Sequence, residues 1–150
     1  MSYFTAVLAR EGRLWTVHDL DVDAEADLAE LTVDLRAVAE ADEPVLLLVE
    51  REDAWWAVVR VDGEEDPRVF ISDVAGAAAS AYAEVLALGD PDEEADPAPG
   101  TCGGDLDVLA DLGTPPETLT EMCEDEMLPM DALAAVAERA GFAEVLDALR

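Results

Sequence analysis

The chain has 150 residues, 51% of them hydrophobic, and its 37 acidic residues against 8 basic ones, all arginine, give a formal net charge of −29. Phosphate groups would repel such a chain, so we expect no direct binding to nucleic acid or to an anionic membrane, whereas a basic protein partner, mimicry of nucleic acid, or an acidic surface that only maintains solubility all stay open. With no charged leader, no run of about 18 apolar residues and only two cysteines, we expect a cytoplasmic protein with reduced thiols and no membrane span.

The first predicted elements are a hairpin and a helix. Residues 3–9 and 14–18 have strand patterns, and Glu11-Gly12 between them is typical of a tight turn. Apolar residues then recur at three- and four-residue spacing from Leu28 to Val38, which predicts an amphipathic helix over about residues 24–41.

The acidic stretch that leads into this helix has the residue spacing of a calcium-binding loop. Acids occupy positions 1, 3, 5, 7, 9 and 12 of that register, at Asp19, Asp21, Asp23, Glu25, Asp27 and Glu30. Position 6, where the loop needs glycine, is Ala24, and a strand precedes the loop where a helix is required. Asp19, Asp21, Asp23 and Glu30 are therefore candidate calcium ligands, against the more ordinary interpretation of an acidic helix entry.

Residues 44–73 contain the most concentrated strand signal. Residues 45–49 are an unbroken apolar run typical of a strand buried on both faces, and further strand patterns follow over residues 54–61 and 68–71. Short polar turns between them predict an antiparallel meander. Trp55 and Trp56 are adjacent and should point to opposite faces. We expect both to be covered, while one exposed as a partner-binding anchor is the alternative.

The rest of the chain divides into a helix, a linker and a helical tail. Residues 74–89 have an alanine-rich helical pattern, and residues 90–104 are acidic, rich in proline and glycine, with little to bury. We predict an α+β domain over 1–89, with an antiparallel sheet of about five strands in the order ββαβββα and two helices. The linker and a small helical subdomain over 105–150 follow. That tail is expected to dock on the sheet or on a partner.

The largest excess of negative charge lies between residues 89 and 126, which contain 13 acidic residues and no arginine. A basic partner would be attracted there, because opposite charges guide association. Glu93, Glu94 and Asp96 are therefore candidate partner-binding residues, alongside Trp55 and Trp56.

The tail has recognisable helix boundaries. Thr114-Pro115-Pro116-Glu117 is typical of a helix start, with Thr114 as the cap, proline in the first turn and glutamate three residues after the cap, and Gly113 and Gly141 are typical of helix ends. Four sulfur-containing side chains follow the helix start: Met122, Cys123, Met127 and Met130. Soft sulfur ligands could bind Cu(I), but at helical spacing beside Leu119 they are more simply interpreted as core.

No catalytic motif is present in the sequence. His18 is the only histidine and is interpreted as a structural or surface residue, and neither Cys102 nor Cys123 has a second cysteine three residues away. We expect a chain that is not an enzyme and holds no cofactor.

Several short stretches, in their order, resemble one known family. They are MSYF at the start, WWAVVRVDG, RVFISD before the alanine-rich helix, the acidic linker, DLDVLADLG, and ERAGFAEVLDAL near the end. Together they resemble the bacterial tRNA adenosine deaminase-associated protein family over nearly the full length. The resemblance implies association with the gene of the deaminase that converts adenosine to inosine at the tRNA wobble position. It carries over no activity and no functional residues. A zinc deaminase needs H-x-E and P-C-x-x-C segments, but His18 is followed by Asp19 and Leu20, and neither cysteine has a partner three residues away.

The resemblance and the charge together predict a non-catalytic accessory or regulatory protein in tRNA modification, with tRNA adenosine deaminase as the expected partner. The alternative is a small calcium- or ligand-binding domain, or an enzyme of unknown activity, whose gene only neighbours that of the deaminase. A third interpretation is a structural oligomer that pairs through a sheet edge or a tryptophan face. The sequence leaves the oligomeric state open.

Overall fold

The computed structural model describes residues 3–12, 14–18, 28–39, 43–51, 54–63, 67–73, 102–125 and 127–148. Its strands are β1 (Tyr3–Glu11), β2 (Leu14–His18), β3 (Pro44–Arg51), β4 (Trp55–Asp62), β5 (Arg68–Ile71) and β6 (Gly103–Gly104). Its helices are α1 (Leu28–Val38), a short 3-10 helix (Ala110–Leu112), α2 (Pro116–Glu124), α3 (Pro129–Ala140) and α4 (Ala143–Ala148). None of the described helices has both the length and the apolar character needed to cross a bilayer.

The strands form one antiparallel sheet in the order β2-β1-β3-β4-β5-β6. This confirms the predicted α+β class, the N-terminal hairpin and the central meander. The sheet has one more strand than the predicted five, because Gly103 and Gly104 pair with Ile71 and Phe70 at its edge. Gly104 has φ 96°, and a Cβ there would collide with the Val69 carbonyl oxygen, so only glycine lets the chain approach β5 this closely.

Strand alternation divides the sheet into two apolar faces. On the first face, Leu31 and Leu35 of α1 pack over strand residues such as Leu47 and Val59. On the second face lie residues of the opposite parity, among them Val58. Because both faces are covered, the run from Pro44 to Glu50 is buried throughout, as a strand buried on both faces requires.

The C-terminal helices cover the second face. Apolar residues from the 3-10 helix to α4, including Leu109, Leu133 and Phe142, belong to the same buried cluster as Val58. At the sheet edge, Trp15 packs edge-on against Phe142 with ring centroids 5.2 Å apart, and its Nε1 donates to the Ala140 carbonyl at 3.2 Å. The tail therefore lies on the sheet. Its treatment as a subdomain separate from residues 1–89 stays a prediction.

The helix boundaries of the tail follow the sequence with one correction. Gly113 and Gly141 end their helices in the left-handed conformation, each with φ 97°, as predicted. Helix α2 begins at Pro116, but the prediction of Thr114 as its cap is wrong, since Pro115 occupies that position without a side-chain cap. Thr114 is buried, and its hydroxyl has no hydrogen-bond partner among the described residues.

One buried charge connects the helical layer to the sheet. Arg60 of β4 is only 4% exposed and lies on the face covered by the helices. Its guanidinium donates to the Val108 carbonyl at 2.7 Å and to Asp111 Oδ2 at 2.8 Å, and it also binds Asp62 at 3.0 Å. Asp62 lies on β4 itself, whereas Val108 and Asp111 belong to the helical layer, so Arg60 joins the two layers by polar contacts. Buried arginine is tolerated here because its donors are met in a fork geometry.

A second pair extends this connection. Arg68 of β5 donates from Nε to Asp105 Oδ2 at 2.7 Å and from a terminal nitrogen to the Asp107 carbonyl at 2.8 Å. The hydrogen bond from Arg68 lowers the pKa of Asp105, and that from Arg60 lowers the pKa of Asp111. Burial alone would lower the pKa of Arg60, but its hydrogen bonds to the two carboxylates outweigh burial and raise it.

We expect Asp111→Asn to destabilise the fold in a pH-dependent way. The folded pKa of Asp111 lies below its ordinary value of 3.8, so its contribution is complete above about pH 5 and is lost as pH falls through the folded pKa. Because this side chain is 61% exposed, solvent screens the pair, and we expect a loss of about 1 kcal/mol at neutral pH. Urea unfolding of the wild type and the variant from neutral to acidic pH measures the difference between their free energies of unfolding. The general charge repulsion is nearly the same in both proteins and largely cancels in this difference.

The matched control is Asp107→Asn, an exposed carboxylate on the same segment. It should change the free energy of unfolding by less than about 0.5 kcal/mol at every pH. Equal effects of the two substitutions, or an Asp111→Asn effect that persists in acid, would contradict the assignment of this pair.

Candidate functional site

A pocket of about 200 Å³ lies where the helical layer meets one end of the sheet. Its sheet side is formed by Ala54, Trp55, Trp56, Ser72 and Asp73, and its helical side by Met122, Cys123, Met127, Leu128 and Pro129. The pocket thus combines the start of β4, the end of β5 and the turn between α2 and α3.

The sheet side of the pocket is rigid. The Trp56 amide donates to Ser72 Oγ at 2.9 Å, and the Ser72 amide donates to the Trp56 carbonyl at 2.9 Å. Trp56 also packs edge-on against Phe70, with ring centroids 5.2 Å apart. These two reciprocal hydrogen bonds, one to the Ser72 hydroxyl and one to the Trp56 carbonyl, and the aromatic packing hold these residues in place.

Trp55 and Trp56 are both covered, with 1% and 2% of their surface exposed, and they belong to the clusters on opposite faces of the sheet. The expectation that both would be covered thus matches their burial. As partner-binding residues they stay a prediction, since neither presents an open aromatic surface and a partner could reach them only through the pocket they line.

The helical side of the pocket is apolar and partly exposed. Met122 is buried, as the core interpretation of the sulfur-containing residues predicts. The exposed fractions of Met127, Leu128 and Met130 are 37%, 50% and 54%. The core interpretation is therefore wrong for Met127 and Met130. We call Met127, Leu128 and Met130 the methionine lip. They occupy the turn and the first residues of α3, where the chain leaves the core.

The two cysteines contact each other at this side of the pocket, which Cys123 lines. Cys102 and Cys123 both pack against the cluster on the helical face, and their side chains are hydrogen-bonded to each other. Burial, assisted by this hydrogen bond, raises the pKa of Cys123 to about 12. The thiol is therefore protonated at neutral pH and is a poor nucleophile. Their separation by 21 residues gave no sign of this contact in the sequence.

The charges around the pocket are negative. Asp73 lines it, and Glu124, Asp125 and Asp131 are exposed on the helical segments that carry the lip. Among the described residues, each arginine is already engaged within the chain. The pairs are Arg10 with Glu43, Arg36 with the Gly63 carbonyl, Arg60 with Asp62 and Asp111, Arg68 with Asp105, and Arg139 with the Gly113 carbonyl, and Arg51 also makes a contact.

The other predicted site residues fall away from this pocket or outside the described part of the chain. Of the candidate calcium ligands, Glu30 is exposed in the first turn of α1. Outside the described residues are Asp19, Asp21, Asp23, Glu93, Glu94 and Asp96. His18 shares a hydrogen bond of 3.2 Å with Thr16 Oγ1 on the edge strand β2. Among the described residues, no group of three or more histidine, cysteine or acidic side chains could hold a metal ion.

The size and chemistry of the pocket favour a side chain as its occupant. Small-molecule sites usually enclose roughly 300–1,000 Å³, more than this pocket offers. Apolar side chains together with the carboxylate of Asp73 line the pocket, and this mixture suits a long aliphatic or basic side chain, whose apolar stem is buried while its charge stays near solvent.

A family model described as Rv3753c-like tRNA adenosine deaminase-associated protein matches residues 3–143. No curated protein and no solved structure matches the chain significantly.

The thiol of Cys123 should react slowly with iodoacetamide. A shift of its pKa from 9.0 to about 12 lowers the thiolate fraction about a thousandfold at neutral pH, since each unit is a factor of ten. We expect the alkylation rate of Cys123, followed by mass spectrometry, to rise steadily with pH up to about pH 10. Urea-unfolded protein is the control and should approach a plateau near the ordinary thiol pKa. A plateau of the native rate at pH 8 to 9 would contradict the protonated state.

Proposed function

The chain belongs to the Rv3753c-like tRNA adenosine deaminase-associated protein family, and from this premise we propose that it is a non-catalytic accessory protein of the cytoplasm that binds tRNA adenosine deaminase through its acidic surface. The family name supplies the association. Physical contact, the absence of catalysis and the cytoplasmic location are parts of the proposal.

The observation that supports contact most directly is the one-sided use of charge. Every described arginine is engaged within the chain, so the positive groups serve the fold and the carboxylates outnumber them at the surface. An enzyme that binds tRNA must present basic side chains to phosphates. The same basic side chains would be attracted to this surface, which gives the acidic composition a specific use.

The chemistry of the chain supports an accessory role. The sequence lacks the zinc-binding segments that a nucleoside deaminase of this kind uses to activate water. In the pocket, the thiol of Cys123 is protonated, and the hydroxyl of Ser72 accepts a hydrogen bond from the backbone of Trp56. Neither group is arranged as an activated nucleophile, since burial keeps the thiol protonated and the single histidine, His18, lies on the edge strand β2 and does not line the pocket.

We expect the purified chain to form a saturable complex with the tRNA adenosine deaminase of the same genome. Because charge would drive encounter, the association constant should fall steeply with salt, and tRNA should displace the chain. Isothermal titration calorimetry at several salt concentrations, with and without tRNA, measures both effects. The control is polyglutamate of matched net charge, which should bind more weakly and without fixed stoichiometry.

The possible results separate three accounts. A complex displaced by tRNA supports a regulator that competes for the basic surface of the enzyme. A complex indifferent to both tRNA and salt would contradict competition and leave a scaffold or stabiliser. Absence of a complex at micromolar concentrations would overturn the proposed function.

A further inference from the structure

We propose that the methionine lip and the pocket behind it form the docking site for a segment of the partner in which one apolar side chain is flanked by arginine or lysine. This inference rests on the proposed function, since it locates the contact that the proposed function requires. The apolar side chain would enter the pocket, and the flanking basic groups would lie against the neighbouring carboxylates.

The first argument is the clustering of exposed apolar surface. Six large hydrophobic residues are exposed in the described part of the chain, and three of them, Met127, Leu128 and Met130, lie within four positions. Isolated exposed apolar residues are ordinary, as for Val33 on α1. Here two members of the cluster, Met127 and Leu128, also line the pocket, and their exposure to water is unfavourable until a bound partner covers them.

The second argument is the contrast between the two walls. The sheet side of the pocket is held by the two hydrogen bonds between Trp56 and Ser72, so it offers a fixed surface for an anchor. The opposite wall contributes Met127, whose unbranched thioether side chain adapts to differently shaped neighbours. A rigid floor with an adaptable rim favours recognition of a side chain that is inserted and then covered.

The third argument selects the kind of partner. Exposed Glu124 and Asp125 precede the lip and exposed Asp131 follows it, so an entering segment would meet negative charge on both sides. A second copy of this chain is a poor occupant, because two chains of net charge −29 repel each other. A partner segment with basic residues around its anchor is complementary in both charge and polarity.

Selective labelling of methionine methyl groups with ¹³C tests the location directly. The chain has four methionines, and Met122, Met127 and Met130 belong to the pocket or its lip, while Met1 supplies a comparison. On addition of the deaminase, we expect the three site methyl resonances to shift or broaden more than that of Met1.

A pair of matched variants accompanies the labelling. Leu128→Asp places a charge at a half-exposed position of the lip, and Val33→Asp does the same on α1, at a similarly exposed position. Leu128→Asp removes an apolar contact of the docking site and should weaken the complex about tenfold or more. Val33→Asp should weaken it less than about twofold. Circular dichroism and thermal melting confirm that both variants fold.

The outcomes separate failure of this site from failure of the proposed function. If the complex forms but the site methyl groups do not respond and both variants bind like the wild type, the docking site is overturned and the proposed function stands. If no complex forms, the proposed function fails, and a capped Arg-Arg-Leu-Arg-Arg peptide tests the site alone. Shifts at the three methyl groups with this peptide, and none with Glu-Glu-Leu-Glu-Glu, would support the site. No shift at millimolar peptide would overturn it.

Discussion

The structure depends on one buried guanidinium. Arg60 lies in the middle of the sheet, opposite Leu46 of β3 and Arg68 of β5, and it is 4% exposed and bound by two carboxylates and a backbone carbonyl. An arginine in such a place would be strongly destabilising alone, because an unpaired charge resists removal from water. The helical layer supplies Val108 and Asp111, which satisfy the guanidinium and so help to fix the position of the layer on the sheet. Apolar packing by Leu109 and its neighbours then provides most of the stabilisation.

That fixed position creates the pocket. One wall comes from the sheet and the other from the turn between α2 and α3, so the pocket exists only while the two layers stay together. The charged side chains are also divided between the fold and the surface. Arginines are engaged within the fold, as in the pair of Arg68 with Asp105, and acidic side chains such as Asp131 are left at the surface. Stability and the proposed attraction to a basic partner therefore draw on one distribution of charge.

Local patterns in the sequence predicted the meander, the hairpin and the glycine helix ends, because each depends on periodicity or turn chemistry within a few residues. The sixth strand escaped prediction, since two glycines at 103 and 104 have no side-chain pattern. Arg60 is the single charged residue between Trp55 and Val61, and the sequence does not distinguish it from a solvent-facing residue until its partners, 48 and 51 residues away, are known. The methionine lip was hidden because its residues share the spacing of a buried helix face, and the contact between Cys102 and Cys123 depends on the fold alone.

The claim that sheet and helical layer unfold together is tested most directly by native-state hydrogen exchange at increasing denaturant. Backbone amides of β4, such as those of Val58 and Val59, can be compared with those of Val136 and Ala137 in α3. If Arg60 and the shared core unite the layers, both groups should reach the same opening free energy and merge into one unfolding transition. Opening of the α3 amides at a clearly lower free energy, with β4 still protected, would contradict this account and establish the tail as a separate subdomain.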